Sequence, residues 1–155
     1  MKKLTALLLA LVMALSLTAC SFEMLPEGQD PPADPKQEQQ LAREDTYTTK
    51  EDVALYIHLY GRLPDNFITK KEAQQLGWTG GSLEPYAPGC CIGGSRFGNY
   101  EGLLPEADGR TWTECDINTL GADSRGAERI VFSNDGLIYY TGDHYKTFEL
   151  LYGGE

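Results

Sequence analysis

The most informative stretch of this chain lies at residues 63–78, which read Leu63-Pro64-Asp65-Asn66-Phe67-Ile68-Thr69-Lys70-Lys71-Glu72-Ala73-Gln74-Gln75-Leu76-Gly77-Trp78. Thr69 followed three residues later by Glu72 is typical of a helix N-terminus, because both side chains can accept hydrogen bonds from free backbone N–H groups there. Ala73 and Leu76 share one side of that helix, and Gly77 is the expected C-terminal cap. The stretch therefore predicts one short helix.

A second helix is predicted upstream of this stretch. Thr49 followed by Asp52 repeats the capping pattern, and apolar side chains then recur at helical spacing until Gly61 ends the run.

Downstream of Gly89 the chain changes to short segments rich in β-branched and aromatic residues, separated by glycine-bearing turns. Five strands are predicted, around residues 91–97, 110–118, 129–132, 137–141 and 146–151. Helices followed by strands predict an α+β domain in which the N-terminal helices pack on one face of a five-stranded antiparallel sheet. The other face would be free for a substrate.

The first residues are predicted to be a targeting segment. Lys2 and Lys3 precede an apolar run at 4–19, and small residues stand before Cys20. A helix of this length rises about 24 Å, which is short of a hydrocarbon core of about 30 Å. Residues 1–19 are therefore interpreted as a lipoprotein signal peptide with lipidation at Cys20, and the alternative is an ordinary cleaved signal with an accidental cysteine.

Residues 20–45 are polar and contain four prolines, so they predict a disordered tether behind the lipid anchor. Residues 46–155 are enough for one domain. That domain carries nine Lys and Arg against sixteen Asp and Glu, a formal charge of −7. Diffuse acidity disfavours generic nucleic-acid affinity, so any RNA chemistry here would need a local cluster of cations.

Several blocks of the domain resemble a known family in order and spacing. They are residues 63–78, Ala87-Pro88-Gly89, Ile92-Gly93-Gly94, Phe97, Asn99, Glu101-Gly102, Gly109-Arg110-Thr111-Trp112, Glu114, Asp116-Ile117-Asn118, Asp143-His144-Tyr145 and Thr147-Phe148. The domain resembles the barnase-like bacterial guanyl-specific ribonucleases of the microbial ribonuclease superfamily, over essentially its whole length.

The resemblance implies that Glu114 is a general base and His144 a general acid. Cleavage of RNA needs a proton removed from the ribose 2′-hydroxyl and a proton given to the departing 5′-oxygen, so two such groups suffice. Both are expected to lie on different strands of one sheet. Without the resemblance, a solvated strand carboxylate and a turn histidine would be the favoured interpretation. His58 matches no catalytic position.

The same resemblance implies that Lys70, Arg125 and Arg129 face the phosphate. Arginine forks suit a phosphoryl group that gains charge in the transition state. The alternative is a structural network with Asp116, Asp123 or Glu128, and both can hold together if Asp116 orients the arginines. Arg110 is interpreted as structural, with Asp135 as its partner by resemblance.

A loop around Phe97, Gly98, Asn99, Tyr100 and Glu101 matches the position where relatives bind guanine. Backbone N–H groups and the Glu101 carboxylate would read the base, because guanine presents a donor pair that adenine lacks.

Tyr145 would either stack on a base or serve as a core tyrosine, and the sequence leaves both open. Three positions depart from the best-known members: Tyr100 replaces arginine, Ser95 replaces aspartate and Gly136 replaces tryptophan. These departures concern binding strength more than chemistry.

Three cysteines remain in the domain, at positions 90, 91 and 115. At most one of Cys90 and Cys91 could bridge Cys115, since neighbours on a strand point to opposite faces, and buried free thiols are the alternative. No metal site is expected, because no histidine lies nearby at ligand spacing.

Together these features predict a secreted, surface-anchored endonuclease of single-stranded RNA. It would cleave preferably after guanine, forming a 2′,3′-cyclic phosphate that is then hydrolysed, as a monomer without metal or cofactor. The alternative is a lipid-anchored RNA-binding or toxin module with weak turnover. A barstar-like inhibitor is a candidate partner by resemblance, although the acidic balance of the domain disfavours that pairing.

Overall fold

The computed structural model describes residues 41–154. The predicted signal peptide at 1–19, Cys20, most of the predicted tether and Glu155 lie outside the described residues. Within that range the elements follow in the order α1 (Lys50–Tyr60), β1 (Phe67–Ile68), α2 (Lys70–Gln75), β2 (Cys91–Phe97), β3 (Trp112–Asp116), β4 (Arg129–Ser133), β5 (Ile138–Thr141) and β6 (Glu149–Tyr152). Neither described helix is long and apolar enough to cross a membrane.

Helix α1 begins and ends where the sequence predicts. The hydroxyl of Thr49 accepts a hydrogen bond from the backbone N–H of Asp52, and Gly61 closes the helix at φ 67° with its N–H donating to Ile57. That left-handed dihedral is open to glycine at little steric cost, which explains why the helix ends there.

Helix α2 has the predicted start and a slightly different end. Thr69 and Glu72 form the complete capping box. The C-terminal cap is Leu76 rather than Gly77, and Gly77 is the following residue at φ 96°. The backbone N–H of Gly77 donates to Gln74 and that of Trp78 to Ala73, so the glycine completes a Schellman turn one residue beyond the cap.

The sheet has six strands in the order β1-β2-β3-β4-β5-β6. The prediction of five antiparallel strands was wrong in number, because β1 adds a two-residue parallel pair with β2, while β2 to β6 are antiparallel as predicted. A strand of two residues carries no alternation pattern for the sequence to reveal. The backbone N–H of Cys91 donates to Asn66 at 2.8 Å and draws the two segments together.

Side-chain alternation divides the sheet into two faces. Tyr56 and Ile57 of α1 pack with Cys115, Ile130 and Ile138 in a core cluster on the first face. The second face carries the buried Trp112, Glu114 and Asp116 of β3, which alternate with Cys115 along the strand. Leu104, from the loop after β2, packs with Trp112 and with Val131 of β4, so this face is partly covered.

The prediction that both helices pack on one face of the sheet was wrong. Ala73 of α2 packs with Trp78, Leu83, Ala87 and Ile92 in a cluster separate from that of α1. This places α2 beside β2, near one end of the second face. The short apolar side of α2, with Ala73 as its one buried residue, leaves it little to bury against the main core.

Residues 41–45, which the sequence assigned to the tether, contact the domain. Leu41 packs partly against the α1 core. The hydroxyls of Tyr60 and Tyr56 donate to the backbone oxygens of Leu41 and Arg43, at 2.6 and 3.0 Å. The chain therefore joins the domain on the α1 side of the sheet.

Candidate active site

Glu114 is the centre of the candidate site. It lies on β3 between Ser95 of β2 and Val131 of β4, and only 8% of it is exposed. Its Oε1 accepts a hydrogen bond from Nζ of Lys70 at 2.6 Å, and its Oε2 accepts one from the hydroxyl of Tyr145. Both carboxylate oxygens are thus held by donors that come from outside the strand.

The surroundings of Glu114 favour its ionised form. Burial alone would raise the pKa, but the hydrogen bonds from Lys70 and Tyr145 outweigh burial and hold the pKa of Glu114 below its ordinary value. Burial of the Tyr145 hydroxyl raises its pKa, and the hydrogen bond to Glu114 raises it further. Near neutral pH, Glu114 is therefore a carboxylate and Tyr145 a hydrogen-bond donor.

Asp116, two residues further along the same face, organises two arginines. It is almost fully buried. Nε and Nη2 of Arg125 donate to its two oxygens at 2.6 and 2.8 Å, while Nε of Arg129 lies 2.9 Å from Oδ1. Both arginines therefore contact Asp116, and they differ in what else their guanidinium groups bind.

Arg129 is turned inward. Its side chain is 3% exposed. Nη1 donates to the backbone oxygens of Arg125 and Glu128, and Nη2 donates to that of Gly126. Its guanidinium therefore shapes the loop between β3 and β4, and of the two arginines only Arg125, with a side chain 26% exposed, keeps an accessible edge.

His144 lies in the loop between β5 and β6, not on a strand as expected. Its φ is 59° and that of Tyr145 is 71°, two adjacent left-handed residues that cost about 1–3 kcal/mol each unless the surroundings enforce them. The rings of His144 and Tyr145 lie 5.0 Å apart. Because Tyr145 also donates to Glu114, the exposed His144 lies one residue from the hydroxyl that binds this carboxylate.

Asp143 holds this loop in place. Its Oδ1 accepts from the backbone N–H of Lys146 and of Thr147 and from the hydroxyl of Thr141, and its Oδ2 accepts from the hydroxyl of Thr147. These bonds, led by those from Thr147, lower the pKa of Asp143 to about 2. No role was predicted for Asp143, although an aspartate followed by Thr147 four residues later is a pattern typical of a turn that the side chain caps.

The loop after β2 is built around Asn99. Its side-chain amide donates to the backbone oxygen of Leu104 and accepts from the N–H of Leu104, at 2.9 and 3.0 Å. Asn99 is buried at φ 47°, so its side chain folds the loop and is not free to meet a base. Glu101 is exposed, and Tyr100 is 94% exposed.

Phe97 links this loop to the centre of the site. Its ring lies 5.2 Å from that of Tyr145. Tyr145 therefore packs partly against aromatic neighbours and also donates to Glu114. Neither base stacking nor a core position, the two alternatives from the sequence, includes this hydrogen bond. An added Cβ at Gly98 would lie 2.3 Å from the Tyr100 ring, so the ring rests over that glycine.

Arg110 donates to both oxygens of Asp135, through Nε at 3.0 and 2.9 Å and through Nη2 at 2.7 Å, so the structural pair expected by resemblance is present. His58 is exposed and stacks on Tyr152.

The three domain cysteines are free thiols, of which Cys91 and Cys115 are buried. Cys115 pairs with Gly93 rather than with Cys91, so the two cysteines are diagonal neighbours, about 7–8 Å apart between Cα atoms and too far apart for a relaxed disulfide. Among residues 41–154, no group of three or more His, Cys, Asp or Glu side chains is arranged to hold a metal.

A family model for ribonuclease matches residues 37–152, most of the chain. The protein therefore belongs to the ribonuclease family. Its mixed α+β fold fits the microbial ribonucleases.

Individual relatives agree with this family. The chain is 54% identical over 102 residues, 64% of its length, to the ribonuclease of Heyndrickxia coagulans, of which the match covers 93%. It is equally similar to the ribonuclease of Bacillus intermedius, of which 62% is covered. It is also 40% identical over 57 residues, 37% of its length, to guanyl-specific ribonuclease St of Saccharopolyspora erythraea, of which 56% is covered.

Proposed function

We propose that this protein is an endonuclease that cleaves single-stranded RNA, preferably after guanine, by attack of the ribose 2′-hydroxyl on the neighbouring phosphate. The observation that carries the proposal is the Glu114 carboxylate, held by Lys70 and Tyr145 beside the loop that bears His144. Membership of the ribonuclease family supports the substrate class.

Glu114 acts as the base. Its lowered pKa keeps it ionised at neutral pH, so it can accept the proton of the 2′-hydroxyl as the oxygen attacks phosphorus. Lys70 and Tyr145 fix the direction of the carboxylate, which limits the motion needed to reach the transition state. A lower pKa also makes Glu114 a weaker base, so the site favours the correct protonation state over maximal proton affinity.

His144 acts as the acid. Its side chain is exposed, and it lies next to Tyr145 on a loop whose shape is enforced by Asp143. A histidine can carry a proton near neutral pH and give it to the departing 5′-oxygen. Breaking the P–O5′ bond leaves a 2′,3′-cyclic phosphate, and the two residues exchange roles when water opens that ring.

Arg125 and Lys70 supply the positive charge for the phosphate. Arg125 presents the edge that Asp116 does not use, and Lys70 is partly exposed beside Glu114. Charge that develops on the phosphoryl oxygens is stabilised most by donors that are already in place. No metal is needed in this scheme.

The guanine preference is assigned to the loop that follows Phe97. The exposed Glu101 can accept from N1–H and N2–H₂ of guanine, and the loop around Asn99 is folded before the base arrives. The name of guanyl-specific ribonuclease St, a partial relative, supports this assignment.

Secretion, anchoring through a lipid on Cys20, a monomeric state and inhibition by a barstar-like protein extend the proposal and rest on the sequence. Anchoring follows from the pattern around Cys20.

The decisive experiment uses a defined single-stranded RNA in excess chelator. We expect cyclic-phosphate termini by mass spectrometry, cleavage after guanosine, and protection of any guanosine whose 2′-hydroxyl is replaced by hydrogen, because that group is the nucleophile. Steady cleavage at the deoxy position, activity lost to the chelator, or binding of the RNA without cleavage would each contradict the proposal.

A further inference from the structure

Arg125 is held on two sides. Its Nε and Nη2 form one edge of the guanidinium plane and donate to the two oxygens of Asp116. Its Cζ lies 5.9 Å from the centre of the Trp78 ring, within the distance of a cation–π contact. Nη1 has no hydrogen-bond partner among residues 41–154, so the second edge of the fork is left for another acceptor.

Trp78 is itself firmly placed. It is 5% exposed, and its Nε1 donates to the backbone oxygen of Gly81 at 3.3 Å. It packs with Ala73 of α2, the helix whose first residue is Lys70. The ring therefore gives Arg125 a support that does not depend on the loop between β3 and β4, in which Arg125 lies.

We propose that Trp78 is a positioning residue for the phosphate-binding arginine, holding the Arg125 guanidinium by a cation–π contact while Asp116 fixes the direction of its fork. This inference deepens the proposed function and rests on it for the identity of the ligand, the scissile phosphate of RNA. The two contacts are complementary, because the carboxylate binds one edge of the fork and the aromatic ring attracts its charge.

A purely structural role for Trp78 makes a different prediction. A core tryptophan contributes to stability through buried area, and its loss would lower the melting temperature without changing affinity for phosphate in the folded state. The positioning role requires the affinity itself to change, since Arg125 would then have to be ordered when the ligand binds.

The structure offers a matched control. Trp112 is also 5% exposed, and its ring lies 5.8 Å from Cζ of Arg110, an arginine that Asp135 already holds. Trp112→Leu removes the same ring and a similar contact without touching Arg125.

Inorganic phosphate serves as the probe, with binding followed by ³¹P NMR at a temperature where circular dichroism shows each full-length variant folded. We expect Trp78→Leu to weaken phosphate binding by about three- to tenfold, the range of a partly desolvated cation–π contact, whereas Trp78→Phe and Trp112→Leu stay within about twofold. Equal affinities for Trp78→Leu, Trp78→Phe and Trp112→Leu would overturn the proposal.

A second measurement avoids the risk that Trp78→Leu does not fold. In protein labelled with 5-fluorotryptophan, saturating phosphate should shift the ¹⁹F resonance of Trp78. The same resonance in Arg125→Gln should stay in place. No shift at saturation in the unmodified protein would overturn the proposal. Neither measurement requires RNA cleavage. Phosphate binding that depends on Trp78 in a protein that leaves RNA intact would refute the proposed function and keep this inference.

Discussion

The ammonium group of Lys70 lies 2.6 Å from Oε1 of Glu114, so the first residue of α2 reaches the middle of β3 across 44 positions of sequence. The pair is only partly shielded, because the side chain of Lys70 is 39% exposed while that of Glu114 is 10% exposed. Lys70 is therefore accessible to a ligand phosphate on one side and contacts the carboxylate of the proposed base on the other. Through this contact, Lys70 also lowers the pKa of Glu114.

Lys70→Met should move the acidic limb of the pH profile of kcat/KM to higher pH. As the proposed base, Glu114 must be deprotonated, so activity should fall as the pH drops through its pKa, which Lys70 helps to hold below the ordinary value. Without the Lys70 cation, only Tyr145 and Arg125 counteract the effect of burial, so the pKa of Glu114 rises. The profile is measured on a guanosine dinucleotide from pH 3 to pH 8.

Lys71→Met is the matched control, because Lys71 is the exposed neighbour on the same helix and lies outside the Glu114 cluster. Its limb should coincide with that of the unmodified protein. An unchanged limb in Lys70→Met would show that the ion pair does not set the ionisation of Glu114.

Much of the fold could be predicted from the sequence, because short local patterns encode it. Thr49, Thr69 and Gly61 mark helix boundaries through capping chemistry that involves only nearby residues. The two-residue strand β1 could not be found, since parallel pairing joins segments that are distant in sequence. The separate placement of α2 depends on the packing of Trp78 and Ile92, which no local pattern reveals.

The resemblance named the candidate site residues, but the sequence did not reveal how they contact one another. Resemblance pointed to Glu114, Lys70 and Tyr145, but the hydrogen bond from Tyr145 depends on a loop with two left-handed residues. Arg129 illustrates the same limit. An arginine that faces a phosphate and one that binds loop carbonyls look alike in sequence, and only the burial of Arg129 separates them.

Glu114→Ala and His144→Ala should each lower kcat by about 10²-fold or more, because each removes a proton transfer of roughly that worth. Fold and RNA binding should largely persist, as judged by circular dichroism and by affinity for a non-cleavable RNA. His58→Ala, which removes the other histidine, should leave kcat unchanged. The assigned roles would be abandoned if either active-site variant kept near-normal turnover.

Asp143→Asn should lower kcat because it loosens the loop that bears His144, and not because it removes a proton carrier. An amide cannot replace all the hydrogen bonds that the carboxylate accepts from Lys146, Thr147 and Thr141, so the left-handed conformation of His144 loses its support. We expect a loss of about tenfold or more in kcat, smaller than that of His144→Ala. Asp108→Asn, at an exposed acidic position, is the control.

The same carboxylate gives a stability prediction whose sign is fixed. The pKa of Asp143 is lowered from 3.8 to about 2, so its contribution is present above pH 4 and is lost as the pH falls toward 2. The melting temperature of the unmodified protein should fall more steeply in this window than that of Asp143→Asn. If the melting temperatures of the two proteins fell in parallel with pH, the Asp143 carboxylate would not be stabilising the loop as proposed.

Cys20→Ser should release the protein from the membrane fraction if Cys20 carries the lipid. A single acyl chain gives only marginal membrane binding, and each buried CH₂ adds about 0.8 kcal/mol, so the unmodified protein needs more than one chain to remain attached. Mass spectrometry of the mature protein is the direct measurement. An unmodified N-terminus downstream of Cys20 would rule out the anchor.

Tyr100 and Glu101 should separate affinity from base preference. Tyr100 is 94% exposed over Gly98, where the best-known relatives carry arginine, while the fold of the loop depends on Asn99 and not on Tyr100. Restoring a cation with Tyr100→Arg should tighten RNA binding at low salt and steepen the dependence of log K on log salt by about 0.7. Cleavage after guanine should remain preferred, because the backbone donors and Glu101 are unchanged.

Glu101→Gln should have the opposite effect, since an amide oxygen still accepts but no longer offers two equivalent acceptors to N1–H and N2–H₂ of guanine. Preference for guanine over adenine should fall while the salt dependence stays close to that of the unmodified protein. Arg96 does not replace the missing cation. Ser95 and Phe97 lie opposite Glu114 and Trp112 on the face of the sheet that carries the site, whereas Arg96 between them pairs with Thr113 on the opposite face. Mapping of cleavage sites on a mixed-sequence RNA at two salt concentrations measures both effects. If Tyr100→Arg changed the base that is cut and Glu101→Gln did not, the division of labour in this loop would be the reverse of the one proposed.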